Sequence, residues 1–239
     1  SSSSAASDVY KRQLVVYPHM MVNVDVGRDR SVAATERAIA GSNEVLVVAQ
    51  RDPDAEDPTE SDLYTVGTVV EIRQFLRMPE GVLRILVDGK TRAKILAYHE
   101  GENYAEADVL EYEEEEGAPV SKDVEALTHG VSDKFEEWVK ISHKLPPEAL
   151  VSISIMEDAG RLADIIASHL NLRYDVRQEI LTLFDVRARL EYLYEVLLHE
   201  LDIMGIEQKI GRRVRKQMDK VQRDFYLREK IKAIHKELG

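Results

Sequence analysis

The chain has 239 residues, a net charge of −12, 44% hydrophobic and 32% charged residues, and no cysteine. This length is enough for one large domain or two smaller ones. The lack of cysteine excludes disulfides and thiolate chemistry, and no apolar run approaches the roughly eighteen residues that would span a bilayer. These features predict a cytoplasmic protein with no membrane partner.

Residues 1–13, SSSSAASDVYKRQ, lack an initiator Met and any apolar periodicity. They predict a disordered leader or artefact outside the fold. From Leu14 to about Tyr112, short runs alternate apolar with polar residues and are rich in β-branched side chains, which predicts a β-rich lobe over 14–117. One helix interrupts the strands, with Ser31 as its expected N-cap and Gly41 as its expected stop.

Two turn signals divide the second half of the lobe. MPEG, from Met78 to Gly81, predicts a hairpin turn. Asp88-Gly89 predicts another turn, which would separate VLRILVDG and TRAKILAYH into two strands. Gly89-Lys90-Thr91 also resembles the end of a phosphate-binding loop, but that motif requires glycine at position 84, which is Arg. We therefore interpret 89–91 as a β-turn and the start of the next strand.

The acidic run from Glu111 to Pro119, EYEEEEGAP, marks the end of the lobe. After it the apolar spacing becomes helical, which predicts a helical subdomain over 118–185 and one long amphipathic helix over 186–239. Fifty helical residues extend about 75 Å, so this arm must protrude or pack on another molecule. Gly205 and Gly211 favour a bend or local fraying between them. The sequence as a whole predicts the α+β class.

Positive charge is concentrated near the C-terminus. The stretch Lys209–Gly239 holds eleven Lys or Arg against four Asp or Glu, a net +7, which leaves −19 on the rest of the chain. One interpretation is weak nucleic-acid binding through phosphate contacts from Arg212, Arg213, Arg215 and Lys216. The interpretation that we favour is the solvated face of an amphipathic helix that contacts a protein partner. Its expected partner contacts are Met218, Phe225, Tyr226 and Leu227.

The searches for catalytic chemistry find no motif. The seven histidines are too far apart in sequence for a helical pair of metal ligands, and neither G-x-S-x-G nor S-x-x-K occurs. We predict no catalytic residue, metal or cofactor in this chain. The rival hypothesis is a stand-alone enzyme assembled from scattered carboxylates and histidines, which would need a deep pocket with converging titratable groups.

Adaptable methionines are typical of promiscuous binding surfaces. We predict substrate contacts at Met20, Met21, Met78 and Pro79, and expect Met78 to be the most exposed methionine because it lies in a predicted turn.

Several segments occur in an order that resembles the N-terminal region of bacterial Lon proteases. They are YPHM, VGRDRSVAATERA, LVVAQRDP, EDPTESDLYTVGTV, RMPEGVLRILVDGKTRAKI, KLPPEAL, GRLADIIASHL and KQMDKVQRDFYLREKIKAIHKELG. The resemblance covers about Leu14 to Gly239, and DLYTVGT and QRDFYLREKIKAIHKELG are its most specific parts.

The resemblance implies a β-rich PUA-like lobe, a helical subdomain and a long helix leading toward an ATPase module. It implies a non-catalytic module for substrate recognition and assembly in an ATP-dependent serine protease that degrades misfolded and short-lived regulatory proteins. The implied partners are unfolded or degron-bearing proteins and the other protomers of a homo-hexamer, while ATP and Mg belong to the parent protein. It adds Arg28 to the expected substrate surface, where Asn23 replaces a proline usual in the family.

Overall fold

The computed structural model describes residues 14–239. The predicted disordered leader at 1–13 lies outside the described residues. The β-rich lobe contains five strands and one α-helix: β1 (Met21–Val26), α1 (Asp29–Ile39), β2 (Glu44–Val47), β3 (Val66–Arg77), β4 (Leu83–Glu100) and β5 (Ala105–Tyr112). Five helices follow: α2 (Lys122–Ser142), α3 (Pro147–Ser154), α4 (Ala159–His169), α5 (Tyr174–Thr182) and α6 (Val186–Leu238). The described residues thus confirm the predicted α+β class.

The strands form one antiparallel sheet in the order β1-β4-β3-β2, and β5 also pairs with β4. The first half of β4 pairs with β1 and its second half pairs with β5, so β1 and β5 lie along the same side of β4. On the other side of β3, the four residues of β2 cover only Thr68–Glu71. The outer half of β3 therefore forms an edge of the sheet.

The predicted turn at Asp88-Gly89 is wrong, because β4 runs without a break from Leu83 to Glu100. The glycine serves a close backbone approach: a Cβ at Gly89 would lie 2.2 Å from the carbonyl oxygen of Tyr17. The register of the β3–β4 ladder also shifts beside it, between Val69 and Val70. A glycine within a strand marks such an approach or a bulge as readily as it marks a turn.

Helix α1 begins two residues before the predicted N-cap. Arg28 is the N-cap, and Asp29 supplies a negative charge in the first turn, where the helix dipole favours it. Ser31 lies inside the helix and is buried, so its assignment as the cap is wrong. Its carbonyl oxygen accepts a 2.7 Å hydrogen bond from the Thr35 hydroxyl.

Two large apolar cores hold the described part of the chain together. The smaller lies under α1 and is built from strand residues such as Val26, Val70 and Ile85. The larger lies among the helices, around Phe135 and Leu190, and it also takes in residues of the β-rich lobe. The contributions from the lobe are Val15, Tyr17, Ala49 and Val66. The lobe and the helices therefore share one core.

Helix α6 is packed at its beginning and solvent-exposed beyond. The Asp185 carboxylate caps it by accepting a 2.9 Å hydrogen bond from the Ala188 amide. Leu190, Leu193 and Leu197 are fully buried, whereas every residue from Ile206 onward is exposed. The helix continues without interruption through Gly205 and Gly211, so the predicted fraying is not observed. About fifty Å of helix therefore extends past the packed body.

Candidate functional site

A buried ion pair joins the sheet to the helices. Arg92 of β4 donates two 2.6 Å hydrogen bonds to the carboxylate of Asp164 in α4, and both residues are 1% exposed. The Arg92 Nε also donates to the carbonyl oxygen of Leu181, at 3.0 Å. Burial of a charge is costly unless it is paired and hydrogen-bonded, and this geometry supplies both conditions.

A second ion pair completes the cluster. The guanidinium of Arg189 in α6 lies 2.6 Å from the Glu114 carboxylate and donates to the carbonyl oxygen of Leu183 at 2.9 Å. Glu114 belongs to the acidic segment between β5 and α2, so this pair fixes that segment against the start of α6. The Arg92 guanidinium also lies 3.6 Å from the Glu114 carboxylate, and the Arg189 guanidinium lies 3.6 Å from the Asp164 carboxylate. Two cations and two anions thus balance at the junction.

Three hydrogen bonds attach α5 to the β-rich lobe. The Tyr17 hydroxyl donates to the carbonyl of Arg177 at 2.8 Å, the Tyr174 hydroxyl to that of Gln50 at 2.6 Å, and the Gln178 amide to that of Val66 at 3.0 Å. Burial raises the pKa of the Tyr17 and Tyr174 hydroxyls, so both remain protonated donors. The junction is therefore held by ion pairs, hydrogen bonds and a shared core.

The predicted substrate contacts do not form one patch. Met21 is 59% exposed at the start of β1, while Met20 is half-buried against both large cores. Arg28 lies beyond the other end of β1, about 20 Å away by strand geometry. Its guanidinium donates to the Gln50 side chain at 2.7 Å and to the Ala55 carbonyl at 2.9 Å.

Met78 and Pro79 occupy the hairpin between β3 and β4. Pro79 is exposed, but Met78 is half-buried, so Met21 is more exposed than the methionine that we expected to be most exposed. This hairpin lies near Arg28, since a Cβ on Gly27 would contact the side chain of Val82 at 3.8 Å.

The sequence did not single out two large apolar side chains at the exposed edge of the sheet. Phe75 is 51% and Leu76 is 59% exposed, and both lie in the part of β3 that β2 does not cover. A signal was present: in EIRQFLR two adjacent apolar residues interrupt the alternation expected of a strand with one buried face.

The expected partner contacts on α6 are all exposed. Met218, Phe225, Tyr226 and Leu227 belong to the unburied half of the helix. The basic residues Arg212, Arg213, Arg215 and Lys216 are exposed there as well, and none of them forms an ion pair within residues 14–239. Both the apolar and the basic groups are accessible to a partner.

Residues 89–91 do not form a phosphate-binding loop. Lys90 lies within β4, where its ammonium group binds the carboxylates of Asp88 at 2.9 Å and Glu71 at 3.2 Å, and no helix follows it. Within residues 14–239, no three His, Asp or Glu side chains lie close enough to hold a metal ion. In the same range, no helix is both long and apolar enough to cross a bilayer.

The described residues define an α+β module in which a β-rich lobe is fixed to helices that end in a long exposed arm. The chain belongs to the family of the ATP-dependent protease La (LON) substrate-binding domain, whose family model matches residues 9–199.

It is 46% identical to the Lon protease of Syntrophomonas wolfei over 228 residues and 41% identical to Lon protease 1 of Bacillus subtilis over 230 residues. These alignments cover 95% of this chain, and 28% and 29% of the two relatives. The chain therefore spans less than a third of their length.

Two solved structures have the same fold. The N-terminal domain of the Lon protease of the Mycobacterium avium complex superimposes with a TM-score of 0.63 at 24% identity, covering 77% of this chain and 92% of that one. A Lon N-terminal domain protein from Xanthomonas campestris superimposes with a TM-score of 0.54 at 17% identity, covering 75% and 90%.

Proposed function

We propose that this chain is the substrate-recognition and assembly module of an ATP-dependent Lon-type serine protease that degrades misfolded and short-lived regulatory proteins. The observation that carries the proposal is the exposure of large apolar side chains in two separate regions of a rigidly joined module. One region is the sheet, at Met21, Phe75 and Leu76, and the other is the outer half of α6. The residues of α6 recur every three or four positions from Ile206 to Phe225 and form a continuous stripe, and continuous exposed apolar surface of this kind marks an interaction site.

The sheet is the region that we assign to unfolded or degron-bearing polypeptides. Its exposed large apolar residues are spread over four strands, so each module would bind a polypeptide weakly; they are Met21, Phe75, Leu76, Leu96, Leu110 and Tyr112. Six modules held together in a homo-hexamer would raise the effective concentration of binding sites and convert weak contacts into useful avidity. The outer half of α6, with Met218, Phe225, Tyr226 and Leu227, would contact other protomers or the ATPase part of a longer protein. ATP and Mg would act in that part.

The proposal is tested by comparing the binding of the unfolded and the native form of one polypeptide. Reduced and carbamidomethylated α-lactalbumin and native α-lactalbumin are titrated into the labelled chain, and fluorescence anisotropy reports binding. We expect the unfolded form to bind and the native form not to bind. Equal binding of the two forms, or no binding of either, contradicts the proposal. A Met21→Ser variant should bind more weakly without loss of stability, because Met21 is 59% exposed.

Nucleic-acid binding is the second candidate function. The observation in its favour is the set of four exposed cations, Arg212, Arg213, Arg215 and Lys216, that have no ion-pair partner within residues 14–239. Phosphate contacts release counterions, so four contacts predict a slope of about −3.6 for log K against log salt on duplex DNA. Reversal of the four charges should abolish this dependence. Binding that is independent of salt, or unaffected by the reversal, excludes this function.

A further inference from the structure

The outer half of β3 is an open sheet edge. The ladder between β2 and β3 ends at the pair Glu44 and Glu71, and the amide of Ile72 makes the next contact, a 2.7 Å bond to the carbonyl of Asn43. Beyond Ile72, no strand in the described part of the chain lies on this side of β3. β3 itself continues to Arg77.

The hydrogen-bonding groups of this edge point away from the sheet. The Met78 amide donates to the carbonyl oxygen of Val82 across the hairpin, at 2.8 Å, so its backbone faces β4. Successive residues of a strand direct their backbone groups to opposite sides. The N–H and C=O groups of Phe75 and Arg77 therefore point outward, where an added strand could bind them.

The side chains at the edge suit an apolar segment. Phe75 lies opposite Ile85 and Leu76 lies opposite Arg84, so the two exposed apolar side chains are on opposite faces of the sheet. A strand added at this edge would find one apolar neighbour on each face. Alternating side chains of an extended polypeptide meet this arrangement.

The two arginines of the edge are already neutralised. Arg73 pairs with Asp88 at 2.9 Å and with Glu71 at 3.1 Å, and Arg77 pairs with Glu36 at 2.7 Å. An acidic segment would therefore gain no unpaired cation from these groups. The edge offers its backbone groups and apolar side chains to an uncharged segment instead.

We propose that the edge at Phe75–Arg77 binds an extended, uncharged, apolar segment of an unfolded polypeptide as an additional β-strand. This inference rests on the proposed substrate-recognition function and assigns that function a site. The register shift between Ile72 and Gln74 bends the strand and limits the added ladder to about four residues. So short a ladder binds weakly, as a module acting in several copies requires.

Hydrogen exchange of the whole 239-residue chain tests the site directly. The probe is reduced and carbamidomethylated α-lactalbumin, with and without which amide exchange is measured by NMR. We expect the Phe75 and Arg77 amides to exchange about fivefold to tenfold more slowly when the probe is bound, because each gains a hydrogen-bond acceptor. Unchanged exchange at both amides, while the probe still binds, overturns the edge site and leaves the proposed function standing. Absence of probe binding overturns both.

Proline variants separate the backbone from the side chain. Phe75→Pro removes an outward N–H that β4 does not use, and proline is tolerated at such edge positions. Phe75→Ala is its matched control, since it removes the ring and keeps the N–H. We expect Phe75→Pro to bind the probe about fivefold to tenfold more weakly than Phe75→Ala. Equal affinity of the two variants counts against the added strand.

A second copy of this chain is the competing occupant of the edge. If two copies pair edge to edge, sedimentation equilibrium should detect a dimer, and the Phe75→Pro substitution should dissociate it. A polypeptide probe that binds the same edge should displace the second copy. If the dimer forms and the probe does not displace it, the assignment to a polypeptide substrate is wrong.

Discussion

Arg92 and Asp164 form a two-bonded ion pair that is completely enclosed between the sheet and α4, although 72 residues separate them in the sequence. Removing one partner leaves an uncompensated buried charge, whereas removing both leaves the neutral pair of Arg189 and Glu114. We predict that Asp164→Ala lowers the free energy of unfolding by about 3–5 kcal/mol. The measurement is urea denaturation followed by circular dichroism.

The double replacement Arg92→Met with Asp164→Ala is the control for this pair, since it differs from the single variant only at Arg92. Hydrophobic residues of similar volume often replace a buried ion pair without loss. The double variant should therefore be more stable than Asp164→Ala. A double variant as unstable as the single one would show that the site requires the ions themselves.

Gly160 is predicted to be necessary for the other ion pair of the junction. A Cβ at this position would lie 1.9 Å from the Glu114 carboxylate, and the carboxylate would have to leave Arg189. We expect Gly160→Ala to lower the free energy of unfolding by about 1–3 kcal/mol. Differential scanning calorimetry measures the change.

Gly205→Ala is the matched control, because it is also a glycine within a helix but has nothing within 4 Å of the added Cβ. It should raise the free energy of unfolding by about 0.5–1 kcal/mol, since alanine favours the helix over glycine. If both substitutions stabilise the chain, Glu114 can move away without loss and its structural role is refuted.

His169 should make stability depend on pH. Burial lowers the pKa of its imidazole, which stacks on the Phe135 ring with centroids 6.4 Å apart. The unfolded chain therefore binds a proton more readily than the folded chain, so stability is lost as pH falls through about 6.5, the unperturbed value, and levels off below the folded pKa.

The comparison that isolates this effect uses His169→Gln. Other groups also titrate, so we predict that the difference in unfolding free energy, parent minus variant, decreases between pH 7.5 and pH 5. A difference that stays flat or grows on acidification would mean that the protonated imidazole is not disfavoured in the folded chain.

The exposed half of α6 should tolerate polar substitution. Met218→Glu and Phe225→Glu alter side chains that have no packing to lose, so the free energy of unfolding should change by no more than about 0.5 kcal/mol. Leu193→Glu on the buried part of the same helix should prevent folding.

In a longer protein that contains this module, we expect Met218→Glu and Phe225→Glu to weaken the association of the oligomer, measured by sedimentation velocity. Unchanged association would exclude these residues from the interface.

Helical periodicity made α6 predictable over almost its whole length, because apolar residues spaced three or four positions apart line up along one side of a helix and along no side of a strand. The continuous β4 was not predictable in the same way. Asp88-Gly89 is a strong local turn signal, but the need for Gly89 comes from Tyr17, 72 positions earlier in the sequence. The contact between Gly89 and Tyr17 therefore determines the backbone here, and the local preference for a turn does not.

The junction depends on partners that no local pattern reveals, and the sheet edge left only the interrupted alternation of EIRQFLR as a signal. Arg92 and Arg189 look like ordinary surface cations until the fold places Asp164 and Glu114 beside them. The exposure of Phe75 depends on how far β2 extends along β3, which the sequence of β3 does not encode. The fold class was therefore readable from the sequence, whereas the surfaces required the assembled sheet.

The projecting part of α6 gives the module the geometry of a lever. A tilt of about 10° of the packed body would move the tip of the helix, about 50 Å away at 1.5 Å per residue, by roughly 9 Å. The contacts of Arg189 with Glu114 and with the Leu183 carbonyl hold the start of the helix to the packed body, so the helix rotates together with the body. Small rotations caused at the sheet would reach the far end as large displacements.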